Sequence, residues 1–384
     1  MVSLRFGNAL IGAEYRVSSE KGIQKTEYIA AGLSVLSGDF NWRRGCADAI
    51  FHRFEVRTGE RMNVLVAGGA GYIGSVTTEM LCDAGHDVTV FDNLERGHRA
   101  AVDPRAKFIQ GDLRQPETIE AALKKVKPEA VIHFAAYIEV GESMVNPLPF
   151  FENNVGGSLN LMKAMVAADC KKLIFSSTCA TYGTPERVPM DETLPQKPES
   201  VYGESKLLCE KIFQWAQQIH GVECVFLRYF NACGATAKYG EDHAPESHLI
   251  PLILQVPLGK RQKIFIFGDD YDTPDGTCIR DYIHIRDLAQ AHILALKPGI
   301  TGAFNLGNGD GYSVKEVIEV SRAVTGHPIP AELKPRRAGD CTRLISDSRK
   351  AKTVLGWKPE YADLRSIVES AWKWHKAHPG GYEG

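Results

Sequence analysis

The sequence predicts an α/β fold, a doubly wound parallel sheet followed by a smaller C-terminal domain. An apolar run at 64–67 leads into glycines 68, 71 and 74, set three apart, and Gly69-x-Gly71-x-x-Gly74 is a second reading of the same loop. Apolar strands then alternate with segments of helical period as far as about Gly234, the rhythm of parallel strands joined by helical crossovers. With 384 residues, 44% hydrophobic and 24% charged, the chain is long enough for two domains sharing a substantial core.

The elements follow in order. After the first strand, 72–84 reads as a helix and 87–91 as the next strand, ending at Asp92. Glycines in such a strand-to-helix loop let the backbone turn tightly and approach a pyrophosphate at the helix N-terminus, the Rossmann-like arrangement. Asp92 lies roughly 20 residues past the loop, where a carboxylate accepts hydrogen bonds from the adenosine ribose and repels a 2′-phosphate. NAD is thereby favoured over NADP, although His98 and Arg99 are nearby cations that an added phosphate would also meet.

Further on, 107–112 reads as a short strand and turn, 116–125 as a helix and 129–135 as a buried strand. Helices at 150–168 and 202–220 alternate with strands at 172–177 and 223–229. Beyond Gly234 the pattern loosens, with a short strand at 263–267, helices at 313–324 and 363–375, and a late strand at 303–307. We therefore expect a dinucleotide-binding domain over 62–234 and a substrate domain over 235–384, with part of 283–310 returning to the main sheet. Residues 1–61 lack clear periodicity and any signal-peptide core. They are expected to be a poorly ordered extension or a stretch ahead of a start at Met62, without catalytic function.

A net charge of −2 provides no broad attraction to nucleic acid or an anionic membrane, and no apolar run is long enough to span a bilayer. Nine scattered cysteines without a CxxC pair indicate neither a zinc site nor a disulfide framework, and suit a reducing cytoplasm. His133 follows an apolar strand and reads as a buried, hydrogen-bonded histidine; no metal is expected.

Chemistry enters with Tyr202 and Lys206, four apart and so on one helical face. A tyrosine of pKa near 10 is a poor base at neutral pH, but a neighbouring ammonium and a positive nicotinamide ring stabilise its phenolate. Ser176-Ser177-Thr178-Cys179 follows a strand at the carboxyl edge, where active groups of such sheets collect.

Taken together, Gly68 to Gly74, Asp92, His133-Phe134-Ala135-Ala136, Asn153-Asn154-Val155, Phe175-Ser176-Ser177-Thr178, Tyr202-x-x-x-Lys206 and Arg228-Tyr229-Phe230-Asn231 resemble the extended short-chain dehydrogenase/reductases. Gly268-Asp269-Asp270-Tyr271, Asp275-Gly276-Thr277, Arg280-Asp281-Tyr282-Ile283-His284 and Pro335-Arg336-Arg337-Ala338-Gly339-Asp340 are similar to the nucleotide-sugar 4-epimerase branch of that family, from Met62 onward.

The resemblance implies an NAD-dependent enzyme that inverts carbon 4 of a UDP-hexose through a transient 4-ketone, with Tyr202 as base, Lys206 as its partner and Thr178 as the substrate-facing hydroxyl. It implies NAD contacts from Gly68, Gly71, Tyr72, Ile73 and Gly74, then Asp92 and Asn93, with Asp112 and Leu113 bracketing the adenine. Phe134, Ala135, Ala136, Asn153, Ser176 and Tyr229 complete that set. For the substrate it implies Asn231, Arg280 and Arg337 on the UDP phosphates, Asp340 on the uridine ribose and Phe267 at the uracil, with His248 and Leu249 alongside. Ile138 stands where some members carry a lysine, and Leu344 near the position that gates the sugar pocket, so acceptance of N-acetylated sugars or pentoses stays open. A 4,6-dehydratase would carry adjacent Asp and Glu where this chain has Cys179 and Ala180, and a non-catalytic NAD-sensing module would lack an intact Tyr/Lys pair.

The family resemblance also implies a homodimer. Apolar residues Phe150, Phe151, Leu159, Leu161, Met162, Leu207, Leu208, Ile212, Phe213 and Trp215 occupy more than one helical face, which calls for a second burial partner.

Overall fold

The computed structural model describes residues 2–6, 9–13, 15–20, 23–28, 61–337 and 340–382. Contacts divide the chain into Met1–Arg57 and Thr58–Gly384. In the first unit, β1 (Val2–Phe6) pairs antiparallel with β2 (Ala9–Ala13), and β3 (Tyr15–Glu20) with β4 (Ile23–Tyr28). The rest of the segment expected to be a poorly ordered extension, notably 29–60, lies outside the described residues.

In the second unit seven parallel strands form one sheet: β5 (Asn63–Ala67), β6 (Asp87–Asp92), β7 (Lys107–Gln110), β8 (Ala130–His133), β9 (Lys172–Thr178), β10 (Glu223–Tyr229) and β14 (Gly302–Leu306). Their order is β14-β10-β9-β8-β5-β6-β7. The chain winds outward in one direction from β5 and then in the other from β8, so the strand ends diverge between these two and leave a crevice. Strand β14, from late in the sequence, pairs with β10.

Alternation along the strands divides the core between two faces. Val64, Val66, Ile132, Ile174 and Val225 pack on one side with Val76 of α1 (Tyr72–Asp83) and Leu288 of α7 (Ile285–Leu294). On the other side Leu65, Ala67, Val131, Leu173 and Phe175 meet α2 (Pro116–Val126), α4 (Gly157–Ala167) and α5 (Val201–His220). Because both faces are covered, the strands read as continuous apolar runs. Ahead of α4, the short helix α3 (Val140–Val145) and a π-helical stretch, Phe151–Gly156, bring the chain back past the sheet's carboxyl edge.

A second layer follows β10. Here β11 (Asn231–Cys233) pairs with β13 (Ile279–His284), which also holds β15 (Gly311–Ser313) and β17 (Arg343–Leu344); β12 (Ile264–Phe267) pairs with β16 (Ala331–Lys334). Helices α6 (Leu249–Leu254), α8 (Val314–Thr325) and α9 (Leu364–Ala377) cover a core around Ile253, Ile264, Val317 and Ile367. A capping box between Ser313 and Glu316 starts α8, and a left-handed Gly326 ends it. Among the described residues, no helix is long and apolar enough to cross a membrane.

Candidate active site

At the carboxyl edge of the sheet lies a cavity of about 760 Å³. Its floor is the glycine loop. Gly68 has φ +82°, and a Cβ there would stand 2.4 Å from the Ala135 backbone nitrogen, while one at Gly74 would stand 2.2 Å from the Gly68 carbonyl oxygen. Only a backbone without side chains lets α1 begin this close to β5 and β8, which leaves the helix N-terminus open to an anionic ligand. This cradle fits a dinucleotide pyrophosphate.

Asp92 closes β6 and is buried. Its two oxygens accept the backbone N–H groups of Ala70 and Leu94 at 3.0 and 2.9 Å. Burial raises its pKa, and those two hydrogen bonds counter the shift. Across the rim, Asn93 donates to Asp112 at 3.0 Å. The Arg114 guanidinium on Asp112 holds that carboxyl down at about 2. Every residue predicted to contact the cofactor lines this one cavity, from Gly68 and Tyr72 through Leu113 and Phe134 to Asn153 and Tyr229. Ile138 also lines it, as do His98 and Arg99, named from the sequence, and Arg96, which the sequence reading did not name.

The chemical end is built by β9, β10 and α5. Alternation along β9 turns Ser176 and Thr178 into the cavity and Ser177 away from it. In register with them, Tyr229 stands beside Thr178, and its hydroxyl pairs with the Ser176 hydroxyl at 2.7 Å. Helix α5 starts at Ser200, whose hydroxyl accepts the Gly203 N–H at 3.1 Å, and this fixes the first turn that carries Tyr202. One turn on, Lys206 donates from Nζ to the Ser176 carbonyl at 2.9 Å and lies 4.7 Å over the Phe175 ring.

Burial dominates the electrostatics. It pushes the Tyr202 phenol well above its usual pKa, with the Thr178 hydroxyl offsetting part of the shift. Burial also pulls the Lys206 ammonium down to about 8, against Cys209 and Glu210. The protein alone therefore holds a neutral phenol one helical turn from a lysine whose ammonium burial weakens, and added positive charge in the cavity favours the phenolate.

Positioning residues to which the sequence reading assigned no role surround this pair. Glu210, two turns after Tyr202 on the same face, accepts from Ser177 at 2.5 Å and from Arg228 at 3.0 and 2.6 Å. Asn154, in the π-helical stretch, accepts the Tyr137 N–H at 2.8 Å and donates to Ser205 at 3.0 Å, so Asn153 is left facing the cavity. The i+4 spacing of Tyr202, Lys206 and Glu210 was the available signal for Glu210; its partner Arg228 stood in a quoted motif, but nothing in the sequence paired the two.

Of the residues predicted for the substrate, Thr178, Tyr202, Asn231 and His248 line the cavity. Leu249, Phe267, Arg280, Arg337 and Asp340 do not line it, but four of these five form a neighbouring cluster. The Arg337 guanidinium lies 3.8 Å over the Phe267 ring, and Arg280 stands 3.6 Å from Asp340. Arg280 is close enough to act on the Cys179 thiol in the cavity wall, and Asn231 donates to the Asp281 carbonyl at 2.9 Å. Leu344 packs on Tyr182, Met190, Leu194 and cavity-lining Phe230. His133 is buried and neutral, its pKa pulled down to about 3 by burial, with Nε2 paired to Ser158 at 2.9 Å.

The sequence pattern of the NAD dependent epimerase/dehydratase family matches residues 64–307. This chain belongs to that family. A UDP-glucose 4-epimerase of Halalkalibacterium halodurans is 54% identical over 327 residues, 84% of this chain and 98% of the relative. A crystal structure of a UDP-glucose 4-epimerase is 50% identical, with a TM-score of 0.82 over 84% of this chain and 99% of that one. The Bifidobacterium longum UDP-glucose 4-epimerase, solved in complex with NAD+ and UDP, is 37% identical, with a TM-score of 0.79 over 83% of this chain and 99% of that one. Family membership agrees with the cradle: the dinucleotide of an NAD-dependent epimerase/dehydratase needs the close backbone approach that Gly68 and Gly74 permit here.

Proposed function

We propose that this chain is an NAD-dependent UDP-glucose 4-epimerase, interconverting UDP-glucose and UDP-galactose by inversion at carbon 4. The observation that carries the reading is the convergence of Tyr202, Lys206 and Thr178 on the same cavity as the glycine loop and Asp92. Carbon 4 bears no acidic proton, so a base alone does not invert it; bound NAD supplies the oxidising equivalent there and takes it back. In this reading Tyr202 accepts the proton of the 4-hydroxyl and returns it, Lys206 sets the charge around that phenol, and Thr178 orients the sugar oxygen. Gly68 to Gly74, Asp92, Asn93, Asp112 and Leu113 hold the adenosine end, while Phe134 to Ala136, Asn153, Ser176 and Tyr229 hold the other.

The second half of the chain, from about Gly234, anchors UDP through Asn231 at its edge and through Arg280, Arg337, Phe267 and Asp340, with His248 and Leu249 alongside. Guanidinium groups suit a pyrophosphate because their charge-assisted hydrogen bonds are strong and directional. Holding UDP firmly while the sugar is loosely held lets the flat 4-ketone present either face. A cytoplasmic homodimer completes the reading: Met144, Val145, Leu148, Leu159, Trp215 and Ile219 are exposed on α3 to α5 and the turn between them. Phe150, Leu161, Met162, Leu207 and Phe213 are buried within the chain, so the apolar face is narrower than the sequence pattern suggested.

Purified protein without added cofactor, given UDP-galactose, UDP-N-acetylgalactosamine or UDP-arabinose, tests the assignment. Epimerisation of UDP-galactose with NAD released on denaturation supports it. Turnover of only the N-acetylated or pentose substrate reassigns the sugar, and turnover of none overturns the reading.

A further inference from the structure

Glu241, His243 and His248, from the segment 241–248, line one wall of the cavity and take no part in the inversion at carbon 4 itself. Glu241, His243, Glu246 and His248 each bring one ligand atom within 4.8 Å of all the others. Glu241 is 4% exposed. Its Oε1 lies 2.7 Å from Nδ1 of His248 and 3.3 Å from Nδ1 of His243, while the Glu246 oxygens lie 3.3 and 3.9 Å from the same two nitrogens.

These atoms are close, yet badly aligned for one another. Oε1 of Glu241 and Nδ1 of both histidines are buried without a hydrogen-bond partner. Buried polar atoms are almost always paired, so three orphans in one cluster require an explanation. Ligands of a four-coordinate ion bound at about 2.0–2.1 Å stand about 3.3 Å apart at the edges of the tetrahedron, and the distances here straddle that value. A small cavity of about 40 Å³ borders Glu241, His243 and Glu246, while His248 lines the larger cavity. The backbone N–H groups of Ser247 and His248 hold the Glu246 carboxylate in place at 2.7 and 2.8 Å.

We propose that Glu241, His243, Glu246 and His248 bind one divalent transition-metal ion, zinc by preference, in a closed structural site. Two imidazoles and two carboxylates suit zinc and its first-row neighbours, whereas magnesium and calcium take oxygen alone. Four protein ligands leave no open position for a reacting water, so the ion acts as a clamp. What it clamps follows from the neighbours of the segment. Arg96 donates to the Ala244 carbonyl at 3.0 Å, the His98 ring pairs with the Asp242 carbonyl at 3.2 Å, and the His243 ring meets Tyr72 edge-on at 6.2 Å. The ion thus ties the substrate side of the cavity to the loops that carry the dinucleotide cradle. The scattered cysteines had pointed away from zinc, and these ligands lie outside any cysteine pattern.

Metal content of the tag-free full chain tests this independently of its activity. After dialysis against zinc and then buffer, plasma mass spectrometry is expected to find about one zinc per chain. Cobalt added to chelator-stripped protein should give the intense visible absorption of a four-coordinate site. His243→Ala should lose both signals while keeping its far-UV circular dichroism, and Glu241→Gln should weaken zinc binding at least tenfold. Zinc far below one equivalent in the unmutated chain, without a visible cobalt band, overturns the proposal. Unchanged metal binding in His243→Ala overturns it as well.

Discussion

Arg228 grips Glu210 through two hydrogen bonds of 3.0 and 2.6 Å in a place where the side chains are 5% and 0% exposed. The pair joins β10 to the face of α5 that carries Tyr202 and Lys206, and Arg228 reaches on to the Tyr182 hydroxyl at 2.9 Å. Removing one partner strands the other charge away from water. Arg228→Met should therefore cost about 3–5 kcal/mol of stability in denaturant unfolding. Adding Glu210→Leu to it should recover a large part of that loss, and additive losses in the double variant would refute a coupled pair.

Tyr202→Phe removes the hydroxyl and leaves the fold and cradle in place. Turnover should fall about 10²–10⁴-fold while NAD content and UDP affinity stay near those of the unmodified chain. Comparable kcat values would take Tyr202 out of the reaction.

Lys206 carries a pH signature. Its folded pKa is pulled by burial from 10.5 to about 8, so between these values the unfolded chain binds more protons than the folded one, and stability rises with pH across that window. Lys206→Met should flatten that rise in ligand-free protein. It should also release NAD more readily, as read by the cofactor content after gel filtration.

Asp112 works in the opposite range. Arg114 holds its folded pKa at about 2, below the ordinary 3.8, so its contribution is fully present above about pH 4 and disappears as pH falls through 2. The side chains are 15% and 32% exposed, which screens the pair and leaves about 1 kcal/mol. Asp112→Asn should lose that amount at pH 7 and converge with the unmodified chain near pH 2, as followed by urea midpoints.

Trp215 is 66% exposed on α5 and Ile219, four residues on, is 68% exposed. If a second copy covers them, Trp215→Glu should convert a dimeric mass in light scattering to a monomeric one at micromolar concentration. A monomeric mass for the unmodified chain would remove the dimer without touching the chemistry.

Much of the fold was legible because its signals are local. The glycine loop, the carboxylate closing β6 and the four-residue step from Tyr202 to Lys206 are fixed by strand and helix periods, and the strands at 64–67, 87–91 and 223–229 announced themselves as apolar runs. The sequence by itself thus determined a parallel α/β sheet with a dinucleotide loop and a tyrosine–lysine pair near its carboxyl edge. Tertiary structure alone decided that the Arg228 guanidinium meets Glu210, that Asn231 and Arg280 share neighbouring strands, and that Leu161 faces the core while Leu159 and Trp215 face outward. It also decided that Glu241, His243, Glu246 and His248 close on one point. Each of these depends on packing between elements or on the path of an irregular loop, and no periodicity within a single element encodes them.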